Sequence, residues 1–133
     1  MNNTVLILED NKELMESYLD ILDAFTSAYP IACHSVKEVY ALRDSVLKTK
    51  IAFLDLNLAT PQESGLDVAQ WLKDNGYEGK IYFLTGQVHD SKLISEIKKI
   101  DAEILSKPFD IEQFIGLVDS PSDDEDSFNS SLN

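Results

Sequence analysis

The chain has 133 residues, 24 of them acidic against 11 basic, for a formal net charge of −13. That sign makes this domain by itself a poor nucleic-acid binder, since phosphate-backbone binding needs clustered Lys and Arg, and a hydrophobic content of 44% argues against global disorder. No apolar run approaches the roughly 20 residues of a membrane helix. The length suits one domain. The single cysteine, Cys33, has no internal disulfide partner, which suits a reducing compartment. Met1-Asn2-Asn3-Thr4 lacks the basic start of a secretory signal. The expected location is therefore cytoplasmic.

Thr4 to Leu8 reads as a buried strand that ends in Glu9-Asp10. Asn11 to Ser27 follows with Leu14, Tyr18, Leu19, Leu22 and Phe25 at helical spacing, which predicts an amphipathic helix with that face inward. Asp10 or Asn11 can cap it. Pro30 closes the unit, and Ile31 to His34 is a short second strand. Ser35 and Glu38 stand at capping-box spacing, so a second helix is expected from Ser35 to about Lys48, with Val36, Val39, Tyr40, Val46 and Leu47 inward.

Ile51 to Leu54 is apolar without alternation and stops at Asp55. Such a run predicts a strand buried on both faces, as in a parallel sheet. A loop over residues 56–64 contains Pro61, and a third helix runs from about Leu66 to Asn75, with Gly76 as its stop. Lys80 to Leu84 is a fourth buried strand ending at Thr85-Gly86. A helix over Asp90 to Lys99 turns Leu93, Ile94, Ile97 and Ile100 inward. Ala102 to Leu105 is a brief fifth strand, followed by Ser106-Lys107-Pro108. Asp110, with Gln113 at capping-box spacing, opens a short last helix. From Asp119 the chain is rich in Ser, Asp and Asn and predicts a disordered acidic tail or linker over 119–133 beyond a domain of residues 1–118.

Five strands alternating with helices predict an α/β fold, a doubly wound five-stranded parallel sheet with right-handed crossovers. Ligands bind such sheets beyond the carboxyl ends of the strands. Glu9, Asp10, Asp55, Asn57, Thr85 and Lys107 all belong to that rim. Taken singly, each has a plainer reading: Glu9-Asp10 as a helix cap, Asp55 as a loop residue, Thr85 as a turn hydroxyl, Lys107-Pro108 as a turn. Together they crowd three carboxylates against one amine. A hard divalent cation with oxygen ligands relieves that repulsion, and Mg²⁺ commonly takes one or two carboxylates, several waters and a phosphate oxygen. Asp55 would then be a carboxylate nucleophile, with Lys107 and the Thr85 hydroxyl on the phosphoryl oxygens. His34 and His89 have no ligand partners at useful spacing.

With these residues in place, the chain resembles the receiver domain of two-component response regulators, of the single-domain, chemotaxis-regulator-like kind, over residues 4 to about 118. The resemblance rests on Glu9-Asp10, Asp55, Thr85-Gly86 and Lys107-Pro108-Phe109, each at the end of a successive strand. It implies a flavodoxin-like sheet of order 2-1-3-4-5. It implies a phosphoryl group accepted on Asp55 from a histidine kinase or histidine phosphotransfer protein. It implies Mg²⁺ held by Glu9, Asp10, Asp55 and the backbone carbonyl of Asn57, and a cis bond before Pro108. Lys107 and Thr85 would contact the phosphoryl group, and the output would be a downstream protein target. No nucleic acid or membrane is expected as a direct partner.

The chain departs from the family pattern in three places. Ala59 stands where a proline is usual, and Gly65 comes ten residues after Asp55, so the loop is lengthened by about two. Ile104 replaces the aromatic residue usual three before the lysine, and the last helix is short. Two other functions compete. A phosphorylation-independent interaction module would suit the same scaffold, but every acidic-pocket residue is retained. A Mg²⁺-dependent phosphohydrolase with an aspartate nucleophile is suggested because Asp55-Leu56-Asn57 is similar to the Asp-x-Asp start of the haloacid-dehalogenase-like phosphatases. Asn57 cannot ionise as the second carboxylate does there. The domain is therefore expected to catalyse only its own phosphorylation and dephosphorylation.

Overall fold

Four consecutive residues of Thr4–Leu8 (β1) and all five of Ile51–Asp55 (β3) are buried, the mark of strands covered on both faces. The computed structural model describes residues 3–56, 64–86, 91–107 and 110–119, and the statements below concern those. With Tyr29–Cys33 (β2), Lys80–Thr85 (β4) and Glu103–Ser106 (β5), they form one sheet of order β2-β1-β3-β4-β5. Every pairing is parallel, as the alternation of strands and helices requires.

Helices cover both faces. Lys12–Phe25 (α1) and Ile111–Asp119 (α6) pack on Val5, Ile7, Phe53, Tyr82 and Leu84. Val36–Ala41 (α2), Arg43–Val46 (α3), Gly65–Asp74 (α4) and Ser91–Lys99 (α5) pack on Leu6, Leu8, Ala52, Leu54, Ile81 and Phe83. Alternate residues of each strand thus feed two separate cores. The chain leaves β1 for β2 on one side and returns to β3 on the other. The β1/β3 boundary is therefore the switch point of the sheet, where doubly wound folds open a crevice.

Four expectations are corrected. On α1 the buried stripe is Met15, Tyr18 and Leu22, while Leu14 is 36% exposed and Phe25 63%. The Asn11 side chain caps the helix at the Leu14 N–H, 3.0 Å away. Tyr18 and Leu22, three and seven positions beyond Met15, turn fully onto the sheet, and Leu19 packs on the same core from a partly buried position, as expected. Pro30 lies inside β2, paired with Val5, because β2 is an edge strand and one side of it needs no N–H donor.

The helix expected from Ser35 to Lys48 is two helices. At Leu42 the backbone leaves the helical region, and its N–H is shared between Glu38 O at 3.1 Å and Val39 O at 3.2 Å. The winding tightens there, so Val46 enters the core while Leu42 stays outside. Tyr40, expected inward, is 37% exposed and lies against Trp71, ring centroids 5.0 Å apart. Elsewhere Ser35 caps α2 through the Glu38 N–H, and Gly76, at φ +77°, ends α4. Asn57, Ala59, Pro61, His89, Pro108 with its expected cis bond, Phe109 and the expected tail from residue 120 lie outside the described residues.

Candidate phosphoacceptor and metal site

The rim at the carboxyl ends of β1, β3, β4 and β5 gathers Glu9, Asp10, Asp55, Thr85 and Lys107. Glu9 follows the last residue of β1, yet its N–H donates to Cys33 O at 3.0 Å and prolongs the ladder to β2. Its side chain is 1% exposed and turns into the rim. There Oε2 accepts the Asn11 N–H at 3.2 Å, and Oε1 accepts from Lys107 Nζ at 3.0 Å and from the Tyr18 hydroxyl at 3.5 Å. Asp10 is half-buried. Asp55 closes β3 and is 3% exposed.

Lys107 is placed by the sheet. Its N–H donates to Thr85 O at 2.7 Å, beyond the Thr85–Ser106 pairing of β4 with β5. From there the side chain crosses to Glu9 and reaches within 3.6 Å of Asp55 Oδ1. Thr85 is 1% exposed at the end of β4. Of the residues expected at the site, the fold thus places Glu9, Asp10, Asp55, Thr85 and Lys107 on one rim. Asn57 lies outside the described residues.

Glu9, Asp10 and Asp55 each offer one carboxylate oxygen, and the three oxygens lie within 4.8 Å of one another. Three acidic groups at that spacing, with one ammonium beside them, carry an excess of negative charge behind largely buried walls. Hard oxygen donors so arranged fit Mg²⁺, which keeps part of its water shell and leaves room for a phosphate oxygen.

Two further residues shape this site. Tyr18 was legible only as a core position on α1. It is buried, packs on Phe114 with ring centroids 5.8 Å apart, and points its hydroxyl at Glu9. Burial first, and then the charges of Glu9 and Asp55, raise its pKa well above the ordinary phenol value, so it remains a donor near neutral pH. The available signal was chemical: a buried tyrosine hydroxyl usually finds a partner. Gly65 opens α4 directly against the β3 end. A Cβ there would overlap the Asp55 carbonyl oxygen and come within 3.3 Å of Leu54 Cβ. The glycine ten residues after Asp55 is therefore required by close approach.

The response regulator receiver domain model matches residues 5–119. Among curated proteins, the response regulator protein TodT of Pseudomonas putida is 25% identical over 116 residues, covering 87% of this chain and 49% of its own length. The chain thus spans about half the length of the curated relatives it matches. Among solved structures, a CheY-like receiver domain protein from Methanospirillum hungatei superposes with a TM-score of 0.81 at 16% identity, covering 96% of this chain and 98% of that one. The chemotaxis protein CheY4 of Vibrio cholerae superposes with a TM-score of 0.76 at 18% identity, covering 92% of this chain and 100% of that one. At those identities the likeness speaks for the fold. No helix among the described residues is long and apolar enough to cross a membrane.

Proposed function

Because this chain belongs to the family of response regulator receiver domains, we propose that Asp55 is its phosphoacceptor, with Glu9, Asp10, Asp55 and the Asn57 carbonyl as Mg²⁺ ligands. The observation that carries this reading is the position of Lys107 Nζ, 3.0 Å from Glu9 and 3.6 Å from Asp55, beside three carboxylates within 4.8 Å of one another.

The donor is a phosphohistidine on a histidine kinase or a histidine phosphotransfer protein. An Asp55 carboxylate oxygen attacks phosphorus; the O–P bond forms as the P–N bond breaks, and the imidazole keeps the bonding electron pair. Bound Mg²⁺ would supply positive charge beside the phosphoryl oxygens. Lys107 holds its own charge on the same group, and the Thr85 hydroxyl donates to it. Thr85 and Lys107 are joined through the backbone at 2.7 Å, so a shift of one bears on the other. That coupling would carry phosphorylation to a downstream protein target. The domain has no outside substrate beyond its phosphodonor; it catalyses only its own phosphorylation and dephosphorylation, in the cytoplasm. Residues 1–118 form the receiver unit, and 119–133 form an acidic tail or linker.

Mass spectrometry after incubation with Mg²⁺ and a small phosphodonor tests the assignment, wild type beside Asp55→Asn. One phosphate on wild type and none on the variant is expected. Equal phosphorylation of both would overturn Asp55 as acceptor.

A further inference from the structure

Glu9 is held from several sides. Its carboxylate is buried and takes donors from three separate places: the Asn11 backbone, the Lys107 ammonium and the Tyr18 hydroxyl. Two of these have other tasks. The Asn11 N–H lies in the turn that starts α1, and Lys107 stands between Glu9 and Asp55. Tyr18 is the donor fixed by the core, since its ring is wedged against Phe114, which in turn packs on Phe53 at 4.9 Å.

We propose that Tyr18 is a positioning residue for the cation site, its hydroxyl holding the Glu9 carboxylate turned toward Asp55. The inference rests on the metal-site reading above. Lys107 and Tyr18 share one oxygen, Oε1, with Lys107 the nearer at 3.0 Å and Tyr18 at 3.5 Å. A contact of that length has room to tighten when the site fills, as hydrogen bonds in unliganded sites do. Once Lys107 turns to a phosphoryl group on Asp55, the phenol is, among the described residues, the side-chain donor left on that oxygen. A carboxylate ligand without its outer partner swings among rotamers, and metal affinity falls with it.

The test is Mg²⁺ titration by calorimetry on four folded proteins: wild type, Tyr18→Phe, Glu9→Asp and the double variant. Tyr18→Phe keeps the ring on Phe114 and removes only the hydroxyl. Glu9→Asp keeps the charge but draws it one methylene away from the phenol. About a tenfold loss of affinity is expected for Tyr18→Phe in the wild-type background, and no further loss in the Glu9→Asp background. Wild-type affinity in Tyr18→Phe, or the same loss in both backgrounds, would overturn the role of Tyr18 while leaving the metal site standing. A folded wild type that takes up no Mg²⁺ would overturn the metal site and this proposal together.

Discussion

The Lys107 ammonium sits 3.0 Å from Glu9 Oε1, closer than the 3.6 Å that separates it from Asp55 Oδ1. It stands beside two carboxylates that are almost wholly buried. Removing one partner of a buried ion pair leaves the other charge uncompensated, which costs more than the pair itself contributes. Lys107→Ala is therefore expected to destabilise the metal-free domain by about 3 kcal/mol. Mg²⁺ should restore much of this by binding the freed carboxylates. Urea unfolding with and without Mg²⁺ checks both parts, and equal stability of wild type and variant without metal would contradict the account. The same variant should bind Mg²⁺ at least as tightly as wild type yet hold its phosphorylated state poorly.

Asp10 supplies one of the three clustered carboxylate oxygens. Asp10→Asn removes a ligand charge while keeping the shape, so Mg²⁺ affinity should fall by at least about a hundredfold, beyond the range for an outer partner. Phosphorylation of Asp55 should fall with it. A calorimetric titration indistinguishable from wild type would refute the role given to Asp10.

Gly65 meets the Asp55 backbone. Gly65→Ala has to push α4 or the end of β3 aside, an overpacking cost of about 1–3 kcal/mol. Because the displaced atom belongs to Asp55, phosphorylation should slow as well. A denaturation midpoint and a phosphorylation rate both at wild-type values would show that the approach is slacker than it looks.

Cys33 is fully buried at the end of β2. Burial first, then the charge of Glu38, pushes its pKa from 9.0 up to about 11. The folded state thus keeps the proton while the unfolded chain loses it. The contribution is complete below pH 9 and is lost as pH rises toward 11. Thiol labelling at pH 8 should be slow in the native protein and fast in urea, because the thiolate is the reactive form. Cys33→Ala should flatten the decline in stability between pH 9 and 11. Rapid native labelling would count against this burial.

The strands, their order along the chain and the residue at each carboxyl end were legible because they are local facts. Ile51 to Leu54 is apolar without a break and then meets Asp55, and that alone marks a strand covered on both faces. The caps at Ser35 and Asp110 were legible too, since each is a contact between near neighbours. The phase of α1 was less so. Leu14 and Met15 are both apolar and adjacent, and the choice between them depended on how the helix meets the sheet. The break at Leu42 has no proline or glycine to announce it.

What only the tertiary structure decided is who touches whom across the rim. Lys107 and Glu9 are 98 residues apart, and their contact follows from the parallel register that carries β1, β3, β4 and β5 to one edge. Tyr18 and Gly65 belong to the same class: one carries a hydroxyl on an otherwise ordinary core position, the other lacks a Cβ where a helix meets a strand end. Periodicity reports which way a side chain faces. The distance to a group on another strand is set by packing, which no single stretch of sequence contains.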